Sequence, residues 1–155
     1  MMRIMFVCYG NICRSPSAEI ILRDMVEKRG LSAKFVIASS ATSTEEIRNG
    51  IGNLLYPPMA KELERHGMSV GDKRAVQLRR DDYNKYDLFI GMDSDNIRNM
   101  RRILGGDPEG KIHRLMEYTD RLGDVEDPWY SRDFRAAYDD IFDGCAGLLR
   151  ELLGR

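Results

Sequence analysis

The sequence lacks what would draw it to a membrane, a nucleic acid or an oxidising compartment. Lys plus Arg number 24 against 25 Asp plus Glu, a formal net charge of −1. No broad basic surface is therefore available for nucleic acid or an anionic membrane surface. The local excess at Arg98, Arg101 and Arg102 reads as one solvated helix face. No apolar run approaches the roughly 20 residues that cross a bilayer. The first residues carry one charge and a five-residue apolar run, too short for the apolar region of a secretory signal. The three cysteines are an odd number without framework spacing, which points to a reducing cytoplasm. The two histidines, His66 and His113, show no ligand spacing with them, so no zinc, other metal or cofactor is expected. Repeats and low-complexity segments are absent, and 155 residues make one domain, 1–155, with a substantial core.

What is present begins at the N-terminus. Ile4 to Val7 reads as a buried strand that stops at Cys8. Six residues later, Ser15-Pro16 opens a helical pattern, Ser suiting the N-cap and Pro the first helical position. Backbone N–H groups of such a loop form an anion nest, and the helix N-terminus adds partial positive charge. Arg14 supplies a planar fork matched to two phosphate oxygens. Cys8 lies at the mouth of the loop, where nearby cations favour thiolate. A thiolate beneath a bound phosphate is a nucleophile aimed at phosphorus. The stretch thus points to phosphoryl transfer through a phosphocysteine.

The remaining pattern alternates strands and helices. Lys34–Ala38, Asp87–Gly91 and Lys111–Leu115 read as strands two to four, and Ser39–Asn53 as a polar loop. Helices are expected over about 15–29, from Tyr56-Pro57-Pro58 to His66-Gly67, over about 94–104, and at the C-terminus. There Phe134, Tyr138, Ile141, Cys145, Leu148 and Leu152 form a helical stripe, which makes Cys145 a core residue. Ala75–Leu78 reads as a short extended piece, Gly105–Gly110 as a turn and Asp120–Tyr130 as a loop. The expected fold is α/β: an open three-layer sheet of about four parallel strands with helices on both faces and the phosphate loop after strand one. Ligands in such sheets sit at the carboxyl ends of the strands. That edge carries Cys8–Ser15, Ser39–Asn53, Met92–Ser94 and Tyr118–Tyr130, and Gly105–Gly110 lies on the far edge.

Cys8-Tyr9-Gly10-Asn11-Ile12-Cys13-Arg14-Ser15, continuing Pro16-Ser17-Ala18-Glu19, closely resembles the signature loop of the low molecular weight protein tyrosine phosphatases. The likeness continues through Ser39–Ser43, Met92-Asp93 and Asp127-Pro128-Trp129-Tyr130. It implies a metal-independent phosphatase with Cys8 as nucleophile and the loop Tyr9–Ser15 as phosphate cradle. A tyrosyl phenolate, pKa about 10, leaves poorly unless protonated. Three aspartates compete to be that acid. Asp107 is on the far edge and Asp93 is better explained as a helix cap, which leaves Asp127, held out of helix by Pro128. The family's catalytic aspartate matches there, and the same residue can serve as base for water.

Arg14 stabilises charge on the equatorial oxygens, and the Ser15 hydroxyl can bond the sulfur. Asn11 tolerates left-handed angles and holds the turn, while Gly10 needs unusual angles or close approach. Ser39 matches the family serine that supports the loop through the asparagine. Tyr9, Trp129 and Tyr130 read as walls of a slot deep enough for phosphotyrosine, with packing as the plain alternative. Glu45 stands near a rim position where many relatives place an aromatic, and would prefer basic substrates. Asp72-Lys73 stand where relatives often have a histidine buttressing the asparagine. Cys13 can pair reversibly with Cys8 and protect it from overoxidation, or simply pack behind the loop. The expected partners are phosphotyrosine proteins, with bacterial tyrosine kinases implied by the resemblance only, and the chain is expected as a monomer or weak dimer.

Four rival readings are weaker. Arsenate reductase on this fold passes oxidation along further cysteines, and the working edge has none beyond Cys13. Protein arginine phosphatases typically carry threonine where Ile12 stands. A Cys–His acyl-transfer site leaves Arg14 unexplained. A non-catalytic phosphotyrosine-binding module needs neither the Cys8 thiol nor the Asp127 acid.

Overall fold

The computed structural model describes residues 1–154; Arg155, the last residue of the expected domain, lies outside them. Strand β1 (Met2–Cys8) is the centre of a four-stranded parallel sheet with β2 (Phe35–Ala41), β5 (Leu88–Gly91) and β6 (Ile112–Arg114), in the order β2-β1-β5-β6. A parallel strand covered on both faces must be apolar throughout, as Ile4–Val7 is. Its side chains alternate between two cores: Ile4, Phe6 and Cys8 belong to one, Met5 and Val7 to the other. The first is closed by α1 (Arg14–Lys28) and α5 (Phe134–Leu153), through Ile21, Leu22, Ile141 and Leu148. The second is closed by α3 (Ser94–Leu104), through Met100 and Leu104. The stripe expected at the C-terminus is the buried face of α5, and Cys145 is fully buried there. Among the described residues no helix is long and apolar enough to cross a membrane.

Three local expectations are corrected. Helix α1 begins at Arg14 with Cys13 as its N-cap, so Ser15 and Pro16 stand inside the first turn. The Ser15 hydroxyl is turned to Cys8 and Asn11, and that tertiary use overrides the capping signal. Ser39–Ala41 are strand, because they pair in register with Phe6–Cys8. The rest of the expected loop holds a hairpin, β3 (Ile47–Arg48) and β4 (Ile51–Gly52), turned by Asn49 at φ 52° and Gly50 at φ 77°. Asn-Gly suits a two-residue hairpin with both central residues left-handed, so the signal was present in the sequence. Helix α2 (Pro57–Arg65) starts where expected, and the 120–130 loop ends in one helical turn, α4 (Pro128–Ser131), capped by Asp127.

Asp107 lies on the edge away from Cys8, in the turn before β6, and its work is structural. It accepts from the Tyr83 hydroxyl at 2.7 Å and from the amides of Lys111 and Ile112 at 2.7 and 3.1 Å. Burial pushes its carboxyl up, but these three donors outweigh burial and hold it below the ordinary range. Its contribution is therefore present above about pH 4 and is lost as pH falls through the depressed value. Asp107→Ala is expected to cost about 1–3 kcal/mol at neutral pH. Urea melts should show the gap between wild type and variant closing in acid; a gap independent of pH would refute the assignment.

Candidate active site

The loop between β1 and α1 is built around Asn11. Asn11 adopts φ 57°, the left-handed conformation expected of it. Its side-chain oxygen accepts from the Val76 amide at 3.0 Å, which fixes which end of the amide is nitrogen. That nitrogen donates to Ser15 Oγ at 2.8 Å and to Ser39 Oγ at 2.9 Å. Each serine hydroxyl must then send its own hydrogen elsewhere. Ser39 gives its hydrogen to Glu19 Oε1 at 2.6 Å, and Ser15 points at Cys8 Sγ at 2.9 Å. The amides of Asn11 and Ser15 approach the same sulfur at 3.3 and 3.4 Å. Sγ thus accepts from two amides and lies within hydrogen-bond distance of a hydroxyl that can turn its hydrogen to it, so the site can offer a sulfur anion three donors.

Ser39 thus supports the loop through Asn11 as expected, but the network runs deeper. Glu19 is buried and pairs with Arg23 at 2.8 Å. The Lys73 ammonium donates to the Ser39 carbonyl at 3.0 Å and lies 3.9 Å from Glu19. Burial lowers the Lys73 ammonium below its ordinary range, with Glu19 offsetting part of that. Lysine, not histidine, completes the support in this chain. Gly10 is not left-handed; it answers to close approach, since a Cβ there would lie 3.2 Å from Glu46 Cγ.

Arg14 is 3 % exposed at the floor of the site. Its Nη1 donates to the Val125 carbonyl at 2.7 Å and pairs with Asp93 at 2.8 Å, and its Nη2 lies 3.6 Å from Asp127. Burial lowers the guanidinium's pKa, but Cys8, Asp93 and Asp127 outweigh it and raise it above the ordinary value. Asp93 does cap α3, as expected, with one oxygen on the Asn96 amide. Its other oxygen holds Arg14, which the capping reading missed. Among the described residues, the amides of Gly10, Ile12, Cys13 and Arg14 donate to no protein acceptor, and they stand at the start of α1 beside Arg14. Free amides at a helix N-terminus next to a guanidinium make an anion cradle.

A cleft of about 340 Å³ stands over this floor. Asp127, Tyr9, Trp129, Tyr130, Glu45 and Glu46 line it, with Ile12 and Cys13 lower down. All the residues expected at the pocket are brought together here. Trp129 is 54 % exposed and also packs on Tyr56, ring centroids 5.1 Å apart, so it is both wall and packing group; Tyr130, 83 % exposed, flanks the mouth. Asp127 Oδ1 accepts from the Trp129 amide at 3.0 Å, which leaves Oδ2 toward Arg14. Cys13 is free, and burial, then the charges of Cys8 and Asp127, push its thiol up. His66 stacks on Tyr138 beside Glu62, and His113 bonds Glu117 and Gly110. A larger hollow of about 540 Å³ lies against Arg23 and Lys73, and none of the three cysteines lines it.

The chain matches the family model described as low molecular weight phosphotyrosine protein phosphatase over residues 3–154. It is 36 % identical to the low molecular weight protein-tyrosine-phosphatase YfkJ of Bacillus subtilis, across 98 % of this chain and 96 % of that protein. The crystal structure of YfkJ superposes with a TM-score of 0.93, covering 99 % of this chain and 96 % of that one at 35 % identity. The crystal structure of the low molecular weight protein tyrosine phosphatase SP-PTP of Streptococcus pyogenes superposes with a TM-score of 0.86, covering 98 % of this chain and 93 % of that one at 35 % identity. A cysteine held under an anion cradle, on this parallel sheet and within this match, leaves one assignment: the chain belongs to the low molecular weight phosphotyrosine protein phosphatase family.

Proposed function

We propose that this chain hydrolyses phosphotyrosine in proteins without a metal ion, through a phosphocysteine on Cys8. The observation that carries the reading is the set of three hydrogen bonds aimed at Cys8 Sγ, beside Arg14 and beneath a cleft that holds Asp127. The phosphoryl group sits in the loop amides with two oxygens on Arg14. Sγ attacks phosphorus, the bond to the tyrosyl oxygen breaks, and Asp127 gives its proton to the departing phenolate. Asp127 then takes a proton from water, the water oxygen attacks phosphorus, and the sulfur leaves with Ser15 Oγ–H bonded to it. Tyr9 and Trp129 line the slot for the phenyl ring, whose depth disfavours the shorter phosphoserine. Under the same reading, a sulfenic acid on Cys8 condenses with the Cys13 thiol and releases water, which guards Cys8 from further oxidation.

The direct test is hydrolysis of phosphotyrosine, phosphoserine and phosphoarginine peptides with chelator present. Selective release from phosphotyrosine is expected. Selective release from phosphoarginine would favour the arginine phosphatase reading, and no release from any would favour a reductase or a binding module. The acid has its own test. Asp127→Ala should slow aryl phosphates with poor leaving groups by about 10²–10⁴-fold, and those with good leaving groups much less. Equal slowing across the series would move the acid to another group.

A further inference from the structure

Charge at the mouth of the cleft is one-sided. Glu45 and Glu46 both line it, on the segment between β2 and β3. Glu46 is held in place: Asn53 Nδ2 donates to its Oε1 at 2.8 Å, and the Asn53 amide donates to its carbonyl at 2.8 Å. Its stem lies over Gly10, so the carboxylate is fixed beside the phosphate loop. Glu45 is exposed, and among the described residues its carboxylate has no ion-pair partner. Among the described residues, the one cation lining the cleft is Arg14, sunk in the floor and engaged by Asp93 and the Val125 carbonyl. Arg132 keeps its charge but does not line the cleft: it donates to the Tyr56 hydroxyl at 2.9 Å and lies over the Tyr56 and Phe134 rings. A phosphate reaching the floor is therefore met by cationic and N–H groups, while whatever flanks it in a peptide meets two carboxylates.

We infer that Glu45 and Glu46 form a specificity rim that selects phosphotyrosine segments with lysine or arginine next to the phosphotyrosine and rejects those with acidic flanks. This rests on the phosphotyrosine phosphatase reading and adds the class of substrate to it. Exposed pairs of this kind are individually weak and screened by salt, so the selection is graded and salt-dependent. Rim charges act mainly on encounter and orientation.

The test uses two phosphotyrosine peptides that differ only in basic or acidic flanks, with p-nitrophenyl phosphate as a substrate without flanks. The expected kcat/KM ratio favours the basic peptide by about tenfold at low salt and shrinks toward unity near 1 M salt, where the screening length is about 3 Å. Glu45→Gln with Glu46→Gln should erase most of the preference; the Glu46→Gln change keeps an acceptor for Asn53. Glu45→Lys with Glu46→Lys should reverse it. Hydrolysis of p-nitrophenyl phosphate with no preference between the peptides, or a preference that survives both double variants, would overturn the rim alone. Failure to hydrolyse any of the three would overturn the phosphatase reading and the rim with it.

Discussion

Cys8→Ser is expected to abolish turnover and leave phosphate binding intact. Oxygen replaces sulfur with little change of shape, and the Asn11 amide, the Ser15 amide and the Ser15 hydroxyl still find an acceptor. The left-handed Asn11 stays tied to Ser15, Ser39 and Val76, so the cradle keeps its form. What is lost is the proposed nucleophile. No base touches this position, because its hydrogen-bond neighbours are two amides and a hydroxyl. A serine oxygen with no base to take its proton does not attack phosphorus. A fall of more than about 10⁴-fold in kcat is expected, equivalent to about 5 kcal/mol of lost transition-state stabilisation. Inorganic phosphate should bind the variant at least as tightly as wild type, since the anion no longer faces the Cys8 sulfur. Acid-quenched wild type should carry phosphate on Cys8. Normal turnover in the variant would remove Cys8 from the mechanism. Loss of phosphate binding along with turnover would mean that the loop depends on the sulfur for its shape.

How much of this site could be read from the sequence depends on how far each contact reaches along the chain. Cys8, Asn11, Arg14 and Ser15 form one uninterrupted loop, and their roles follow from residue type and local spacing. Asp93 shows where one-role reading fails. Helix capping explained it fully from sequence, yet a carboxylate has two oxygens, and the one not capping α3 holds Arg14. Glu19 and Lys73 were harder still. Glu19 was visible only as part of a motif, and its purpose appears once Ser39, on a neighbouring strand, brings a hydroxyl hydrogen to it. Lys73 reaches the same place from a segment with no regular structure of its own. Val125 contributes through its carbonyl, to which side-chain identity gives no clue. The helix start failed for a related reason: Ser15 has the right chemistry for a cap, and the site uses that hydroxyl for the sulfur. The alternation of β1 between two cores, by contrast, followed from a continuous apolar run, because a parallel strand buried on both faces leaves no other choice.

Arg14→Lys is the second large effect, and its pattern differs from that of Cys8→Ser. The guanidinium does several things at once. Nη1 holds the Val125 carbonyl and Asp93, which tie the loop bearing Asp127 and the end of β5 to the floor, and Nη2 faces Asp127. In the proposed reaction it also spans two phosphate oxygens as charge spreads over them. A lysine ammonium keeps the charge but is a compact point without the planar fork, and it cannot serve Asp93, Val125 and two phosphate oxygens together. Since Arg14 is 3 % exposed, water cannot stand in for the bonds that go unmade. An arginine that stabilises transferring phosphoryl groups is worth about 10³–10⁵ in kcat. A loss of at least about 10³-fold, or about 4 kcal/mol, is therefore expected in Arg14→Lys. Phosphate affinity should weaken as well, whereas Cys8→Ser preserves it. A thermal melt close to wild type would show that the loss is local to the site. Activity within about tenfold of wild type would mean that charge alone suffices at this position, and the fork geometry would drop out of the mechanism. Loss of turnover with binding retained would instead assign Arg14 wholly to the transition state, leaving the loop amides to bind the ground-state phosphate on their own.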